Sequence, residues 1–452
     1  MTADAAGLLL VNAAFLAAGL GITSAVGWWN GARAAASSLG IAYLAGVAAF
    51  GVIAQALLVL GGSLDRLQVL LICGVLAAGM LVPRNVKRRA AHISWLWALP
   101  IAGMLLLLAV DLWFQPLWAY DSWTFWTPKA RALLELNGLQ AGWFTSGDLL
   151  NRDYPLLLPA VEAAGFRFTG YEVRLLDLQS WFFLVAFAGA FWEIVRPRAR
   201  GWIAWVVLAT VVAAPSIADQ LASAEADIPL ATFFAGAGLC AYLWLEERSS
   251  AALLLFGVLT AAAATTKVEG TIFVLSLTIV ATALSLRRWG RAGGSIAVVG
   301  AAALLVAVLP WRLWLAAHHV PRQESLGRLT DAGFLADHIS RVPYSAAYMA
   351  GRIVDPRAWL LLVPLCMVAT FAAARAGARS DAMLATGVVA LCFLGLVLAY
   401  WTTPFELPFH LATSARRVIT APILFWAALA PLLFAAADGG DPIAEPSYPL
   451  RS

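Results

Sequence analysis

Five short stretches of this chain set carboxylates and cations beside long apolar runs. The first, "WAYDSWTFWTPKARALLEL" (118–136), places Asp121 among Trp118, Trp123 and Trp126 and follows it with Lys129 and Arg131. Thr127-Pro128 reads as an N-cap with proline at the first helical position. Ala130, Leu133 and Leu134 then form a short apolar face, with Lys129 and Arg131 on the polar side. Such a helix lies in the plane of a membrane interface and holds Asp121 near cations that keep it ionised. In "NRDYPLLLPAVEAAG" (151–165) the device repeats, with Arg152 and Asp153 ahead of Tyr154-Pro155. "IADQLASAEADIPLATFF" carries Asp219, Glu225 and Asp227, and "TTKVEGTIF" carries Lys267 and Glu269 beside Gly270. Finally "YWTTPFELPFHLATSARRVITAP" gathers Glu406, His410, Ser414, Arg416 and Arg417. The guanidinium fork suits bidentate grasp of a phosphate, so the chemistry expected here is capture of an anionic group beside ionised carboxylates. Plainer readings stand beside it. Asp121 could be a solvated boundary acid, Asp227 a helix start, and Lys267 with Glu269 a mutual ion pair. The tryptophans fit an interfacial aromatic belt.

The elements that must position these residues are membrane helices. The chain is 62% hydrophobic and 12% charged, against about 45–50% and 25% in soluble domains. The expectation is an all-α polytopic membrane protein. Spans of roughly 20 apolar residues fall at 6–27, 39–61, 66–83, 95–116, 175–195, 201–217, 228–245, 251–266, 270–286, 295–314, 358–374, 382–400 and 418–437, about thirteen in all. The first lacks a basic leader and a cleavage site and reads as a retained helix. Positive-inside bias sets the orientation. "PRNVKRRAAH" (Arg84, Lys87, Arg88, Arg89), "RPRARG" (Arg196, Arg198, Arg200), "RRWGR" (Arg287, Arg288, Arg291) and "ARAGARSD" (Arg375, Arg379) all fall on one side, taken as cytoplasmic. The opposite side receives the long loops 117–174 and 315–357 and most of the 26 acids. All five stretches above lie there. The cytoplasmic tail is 438–452.

Other chemistries leave no trace. Walker A, HExxH, GxSxG and paired CxxC patterns are missing, and no basic tract points to nucleic acid. Cys73, Cys240, Cys366 and Cys392 all stand inside apolar runs, as small core residues do. His318-His319 reads as a loop pair, since adjacent histidines point different ways. Arginine far outnumbers lysine and alanine abounds, a composition expected of a GC-rich bacterial genome and hence of a bacterial cytoplasmic (inner) membrane protein.

In their order and common side, "YDSWTFWTPKARAL", "DYPLLLPAVEAAG", "SAEADIPLATFF", "TKVEGTIF" and "TTPFELPFHLATSARRV" resemble the GT-C-type integral-membrane glycosyltransferases. The nearest branch is that of the aminoarabinose transferase and protein O-mannosyltransferases. The likeness covers roughly residues 95–430. It divides the chain into extra N-terminal transmembrane helices (1–92), a GT-C-like catalytic module (93–437) with interfacial helices in its long outer loop, and the tail. Two features depart from the family. Three extra spans, in residues 1–92, come ahead of the helix that leads into the acidic loop, and Arg416 stands where relatives carry an acid before the last arginine of "TS-x-x-R", which leaves Arg417 as the matching position.

What the resemblance implies is inverting transfer of a sugar from a polyprenyl-phosphate donor to a glycan, lipid or protein acceptor on the extracytoplasmic face. Asp121 would be the base, since positioned proton transfer contributes about 10²–10⁴-fold. Lys129, Lys267 and Arg417 would stabilise the phosphate, with Arg131, Arg152 and Arg416 as further cations. Asp153, Glu225, Asp227, Glu269, Glu406 and His410 would orient the acceptor or hold a divalent metal (Mg or Mn), which some relatives use. Trp123, Trp126 and Tyr154 would stack on sugar faces. A cell-envelope glycan polymerase or ligase shares this geometry. A transporter or flippase of lipid-linked sugars would instead want charges and broken helices near the midplane.

Overall fold

A computed structural model describes residues 2–29, 32–82, 95–147, 149–321 and 325–439. The basic stretch of Arg84, Lys87, Arg88 and Arg89 lies outside the described residues, as does the tail from 440 onward. Among the described residues every regular element is helical. Seven segments among the described residues are long and apolar enough to cross a membrane: Asp4–Ala25, Leu39–Val59, Leu175–Val195, Asp227–Glu247, Val268–Ala317, Arg379–Trp401 and Leu407–Ala437. The chain is thus a multi-pass membrane protein. Gly201–Ala213 and Pro215–Leu221 make an eighth if their 52° bend is one broken span. The bend has a local cause, because proline forces the residue before it out of the helical region and Ala214 sits at φ −64°, ψ 123°.

The thirteen expected spans are a finer count than length and composition give. Arg66–Leu81, Ala98–Phe114, Ser250–Thr266 and Leu362–Arg375 are helical but short. Val268–Ala317 counts once, although Gly290 at φ 58° separates Val268–Trp289 from Ser295–Ala317. Those two run back along each other, for a Cβ on Gly300 would lie 2.7 Å from the Thr278 side chain.

Small residues let the backbones touch. A Cβ on Gly19 would sit 1.6 Å from the Ala42 carbonyl oxygen, and one on Gly46 1.9 Å from that of Phe15. This pins Thr2–Ala25 to Leu39–Val59. The expected N-terminal addition is stitched into the bundle rather than appended to it. Asn12 Nδ2 donates to Gln179 Oε1 at 3.0 Å, and the Tyr43 hydroxyl donates to Asn12 Oδ1 at 2.5 Å. Gln55 accepts from the Leu156 amide at 2.9 Å and donates to the Ala307 carbonyl at 2.8 Å.

Asp227–Glu247 is the central strut, 94% buried over its most apolar stretch. Its two ends differ in charge. At its C-terminal end Glu247 pairs with Arg198 and Glu246 with Arg288, so two of the basic loops meet there. About 30 Å away, at 1.5 Å per residue, Asp227 opens the helix. The five chemistry-bearing stretches are to be sought at that end.

Candidate functional site at the Asp227 end of the bundle

Four of the five stretches meet around one guanidinium. Arg417, in the last turn of Leu407–Val418, directs Nη1 to Asp121 Oδ2 at 2.8 Å. Its Nε lies 2.8 Å from Glu225 Oε2 and 3.2 Å from Asp227 Oδ2. The other Asp227 oxygen accepts from Lys267 Nζ at 2.8 Å, and Glu269 Oε1 is 3.8 Å from the same ammonium. Asp227 and Lys267 are almost wholly buried, whereas the Asp121 and Arg417 side chains are 28% and 21% exposed. The cluster therefore has a sealed floor and an accessible rim.

Each member is held by local structure. Asp227 lies in the first turn of its helix, where an acid complements the macrodipole. Lys267 is the single extended residue (φ −152°, ψ 157°) between Ser250–Thr266 and Val268–Trp289. That tight reversal depends on Gly270, for a Cβ there would meet the Ala263 carbonyl oxygen at 2.0 Å. Asp121 precedes a π-helical turn, Ser122–Trp126, of a kind that recurs at functional sites. Ser122 Oγ donates to the Ser223 carbonyl and ties the Asp121 stretch to the segment carrying Glu225.

Several expected site residues sit elsewhere. Lys129 is fully buried; it faces away from solvent and donates to the carbonyls of Asn151 (2.7 Å), Tyr154 (3.0 Å) and Arg152 (3.4 Å). It clamps the 151–154 loop and is not a cation waiting for phosphate. The expected Thr127 cap is also corrected. The π-helical turn runs straight into Thr127–Glu135, Thr127 has helical φ/ψ, and its hydroxyl is buried without a hydrogen-bond partner. Arg131 is exposed, paired with Glu135 at 2.7 Å. Arg152 donates from Nη1 to the Thr145 carbonyl at 2.7 Å, and Arg416 pairs with Asp219 rather than with the central acids. Trp126 is buried with its ring edge-on to Tyr154, so it offers no face to a sugar. Trp123 is half exposed and donates from Nε1 to the Leu117 carbonyl. Asp153 is buried beside the Lys129 clamp. Glu406 is exposed at the start of Leu407–Val418. His410 Nδ1 and Thr403 Oγ1 hydrogen-bond at 2.8 Å, and the His410 ring lies edge-on to Tyr400.

The electrostatics follow from burial. Glu225 is pushed up to about 8 by desolvation, with Arg417 opposing and the Asp227 and Asp121 charges adding. Burial pulls the Lys129 ammonium down to about 7 against the attraction of Asp153. Tyr154 is raised well above the usual phenol range by burial, then by the charges of Glu269 and Asp121. The Tyr154 ring is half-buried and packs against Phe125 and Trp126. Four carboxyls face two cations, so a proton on Glu225 brings the cluster nearer balance. No group of three or more His, Cys, Asp or Glu side chains is arranged to hold a metal among the described residues, and both Asp227 oxygens are taken by cations.

Two residues near the cluster went unread in the sequence. Tyr400 bonds Ser414 Oγ at 2.8 Å on the Arg417 helix; its signal was its place at the head of "YWTTPFELPFH". Arg312 lines a small cavity with Gln55, Thr265, Thr271 and Trp311 beside the Lys267 reversal. Its signal was an arginine inside an apolar run.

Compared with known proteins, the chain matches no family model, no curated protein and no solved structure.

Proposed function

We propose that the chain is a GT-C-like inverting glycosyltransferase. In this reading it crosses the membrane thirteen times and moves a sugar from a polyprenyl-phosphate carrier to an acceptor hydroxyl at the extracytoplasmic face. The observation that carries the reading is the Asp121–Arg417 pair. It joins a carboxylate and a guanidinium 296 positions apart in the chain, at the accessible rim of an otherwise sealed charge cluster. A passive ion pair needs no such convergence of four segments.

In this mechanism the donor phosphate takes the Arg417 Nη1 arm that Asp121 holds in the resting site. The freed carboxylate accepts the proton of the acceptor hydroxyl while that oxygen attacks the anomeric carbon. The bond from that carbon to the phosphate oxygen breaks, its electron pair stays on the phosphate, and the configuration inverts. Arg417 offsets the growing negative charge, which a fixed donor does more effectively out of bulk water. Lys267 acts one layer back, holding Asp227 so that the guanidinium stays oriented. Tyr154 borders the acceptor side.

The test is mass spectrometry of lipids co-purified with the wild type and with Asp121→Asn. A polyprenyl phosphate on the wild type, and its sugar-loaded form enriched on the variant, supports the reading and names the sugar. Ordinary phospholipid alone on both proteins counts against it and favours a transporter.

A further inference from the structure

The opposite end of the bundle carries a second feature. Between Leu362–Arg375, Arg379–Trp401 and Thr420–Ala437 the surface opens into a groove of about 510 Å³. Asp381, beside its mouth, lies close to the Arg288–Glu246 pair, which fixes the groove at the basic end, away from Asp121 and Arg417. The walls are apolar. Met367, Phe371 and Met383 line it and are 53%, 65% and 47% exposed. Trp426 also lines it, and its indole nitrogen already donates to Thr370 Oγ1 at 2.9 Å. The deep part therefore presents no free indole donor to a polar guest.

The mouth is cationic. Arg379 lines it at the start of its helix. Arg375 stands across the short turn, its guanidinium carbon 5.8 Å from the Phe371 ring. Both arginines are exposed, and among the described residues neither forms an ion pair. From Arg379 to Thr386 the groove follows its helix for about 10 Å at 1.5 Å per residue. A cationic mouth leading into an apolar trough of that depth is the shape and charge of one ligand class.

We propose that this groove binds an anionic phospholipid, with its phosphate between Arg375 and Arg379 and an acyl chain along Phe371, Met383 and Met367. Basic pockets between transmembrane helices recognise acidic head groups in this way. A zwitterionic choline lipid would bring a third cation beside these two arginines and is disfavoured. The site does not depend on what the Asp121 end does.

The experiment is native mass spectrometry of the full chain in neutral detergent, titrated with dioleoylphosphatidylglycerol or dioleoylphosphatidylcholine. The wild type is expected to retain the glycerol lipid preferentially. Each arginine near a membrane surface contributes about fivefold, so Arg375→Gln/Arg379→Gln should weaken that adduct about 25-fold. Ala374→Trp, or Thr386→Phe from the opposite wall, fills the trough with both arginines in place and should abolish the preference. Monodisperse elution and an unchanged thermal transition show that each variant folds, and the two wall variants substitute for each other if one fails. Equal binding of both lipids by the wild type overturns the proposal. So does full glycerol-lipid binding by a folded wall variant, since that means diffuse charge attraction without a groove.

Discussion

The Arg417 cluster makes a graded prediction about stability that needs no knowledge of substrate. Arg417→Gln removes one guanidinium from three carboxylates of different burial. Glu225 and Asp227 are 4% and 2% exposed, and breaking a buried pair by removing one partner costs about 3–5 kcal/mol. Asp227 keeps Lys267 at 2.8 Å, and Glu225, pushed up to about 8, already holds a proton at pH 7, so the loss should fall near about 3 kcal/mol, at the lower end of that range. The Asp121 arm is solvent-screened on both sides. Asp121→Asn should therefore cost under about 1 kcal/mol. The assay is reversible unfolding in mixed micelles by SDS titration at pH 7, followed by far-ultraviolet circular dichroism. Arg417→Gln/Glu225→Gln closes a double-mutant cycle, with an expected coupling above about 0.5 kcal/mol for groups in contact. Equal losses from Asp121→Asn and Arg417→Gln would refute the sealed-floor and accessible-rim account. Zero coupling between Arg417 and Glu225 would remove the cluster as a unit.

Further outcomes follow from the same geometry. Under the proposed chemistry Asp121→Asn should lose about 10²–10⁴-fold in transfer rate while its unfolding midpoint barely moves; retention of full transfer in proteoliposomes contradicts the base assignment. Lys267→Met leaves buried Asp227 with only the Arg417 arm at 3.2 Å and should cost about 3 kcal/mol, the lower end of the buried-pair range, and Asp227→Asn on that background should restore part of it in the same unfolding assay. Gly270→Ala places a Cβ 2.0 Å from the Ala263 carbonyl, so it should lower the thermal midpoint and disturb the Lys267 reversal; an unchanged midpoint would mean the two helices separate freely. Glu162 is buried beside Asp177, and desolvation, then the Asp177 charge, raises its carboxyl well above the usual range. The folded state therefore holds that proton more tightly, and wild-type stability should fall as pH rises above the unfolded value of about 4.3, a slope that Glu162→Gln should flatten.

Much of this protein was legible in one dimension. Apolar runs of the right length fix the all-helical membrane class, because a bilayer core leaves backbone groups no partner outside a helix or a closed barrel. The separation of the ends was legible too, since arginine-rich loops and acidic stretches alternate along the chain. Even the members of the cluster were readable, as Asp121, Glu225, Asp227, Lys267, Glu269 and Arg417 stand out by type against an apolar background.

What the sequence could not assign was partnership. Arg416 and Arg417 are adjacent, yet one turns to Asp219 at the edge and the other to the central acids. Successive helical residues point about 100° apart, so which of two arginines faces inward depends on how the helix is seated. Lys129 and Arg131 looked alike as cations on a polar face. Tertiary packing buried the first under the 151–154 carbonyls and left the second in solvent beside Glu135. Burial is set by neighbours distant in the chain, and no local pattern encodes it. The close contacts at Gly19, Gly46 and Gly270 likewise become requirements only where another backbone arrives. Residue type determined which groups could do chemistry, and the crossing of helices decided which of them meet.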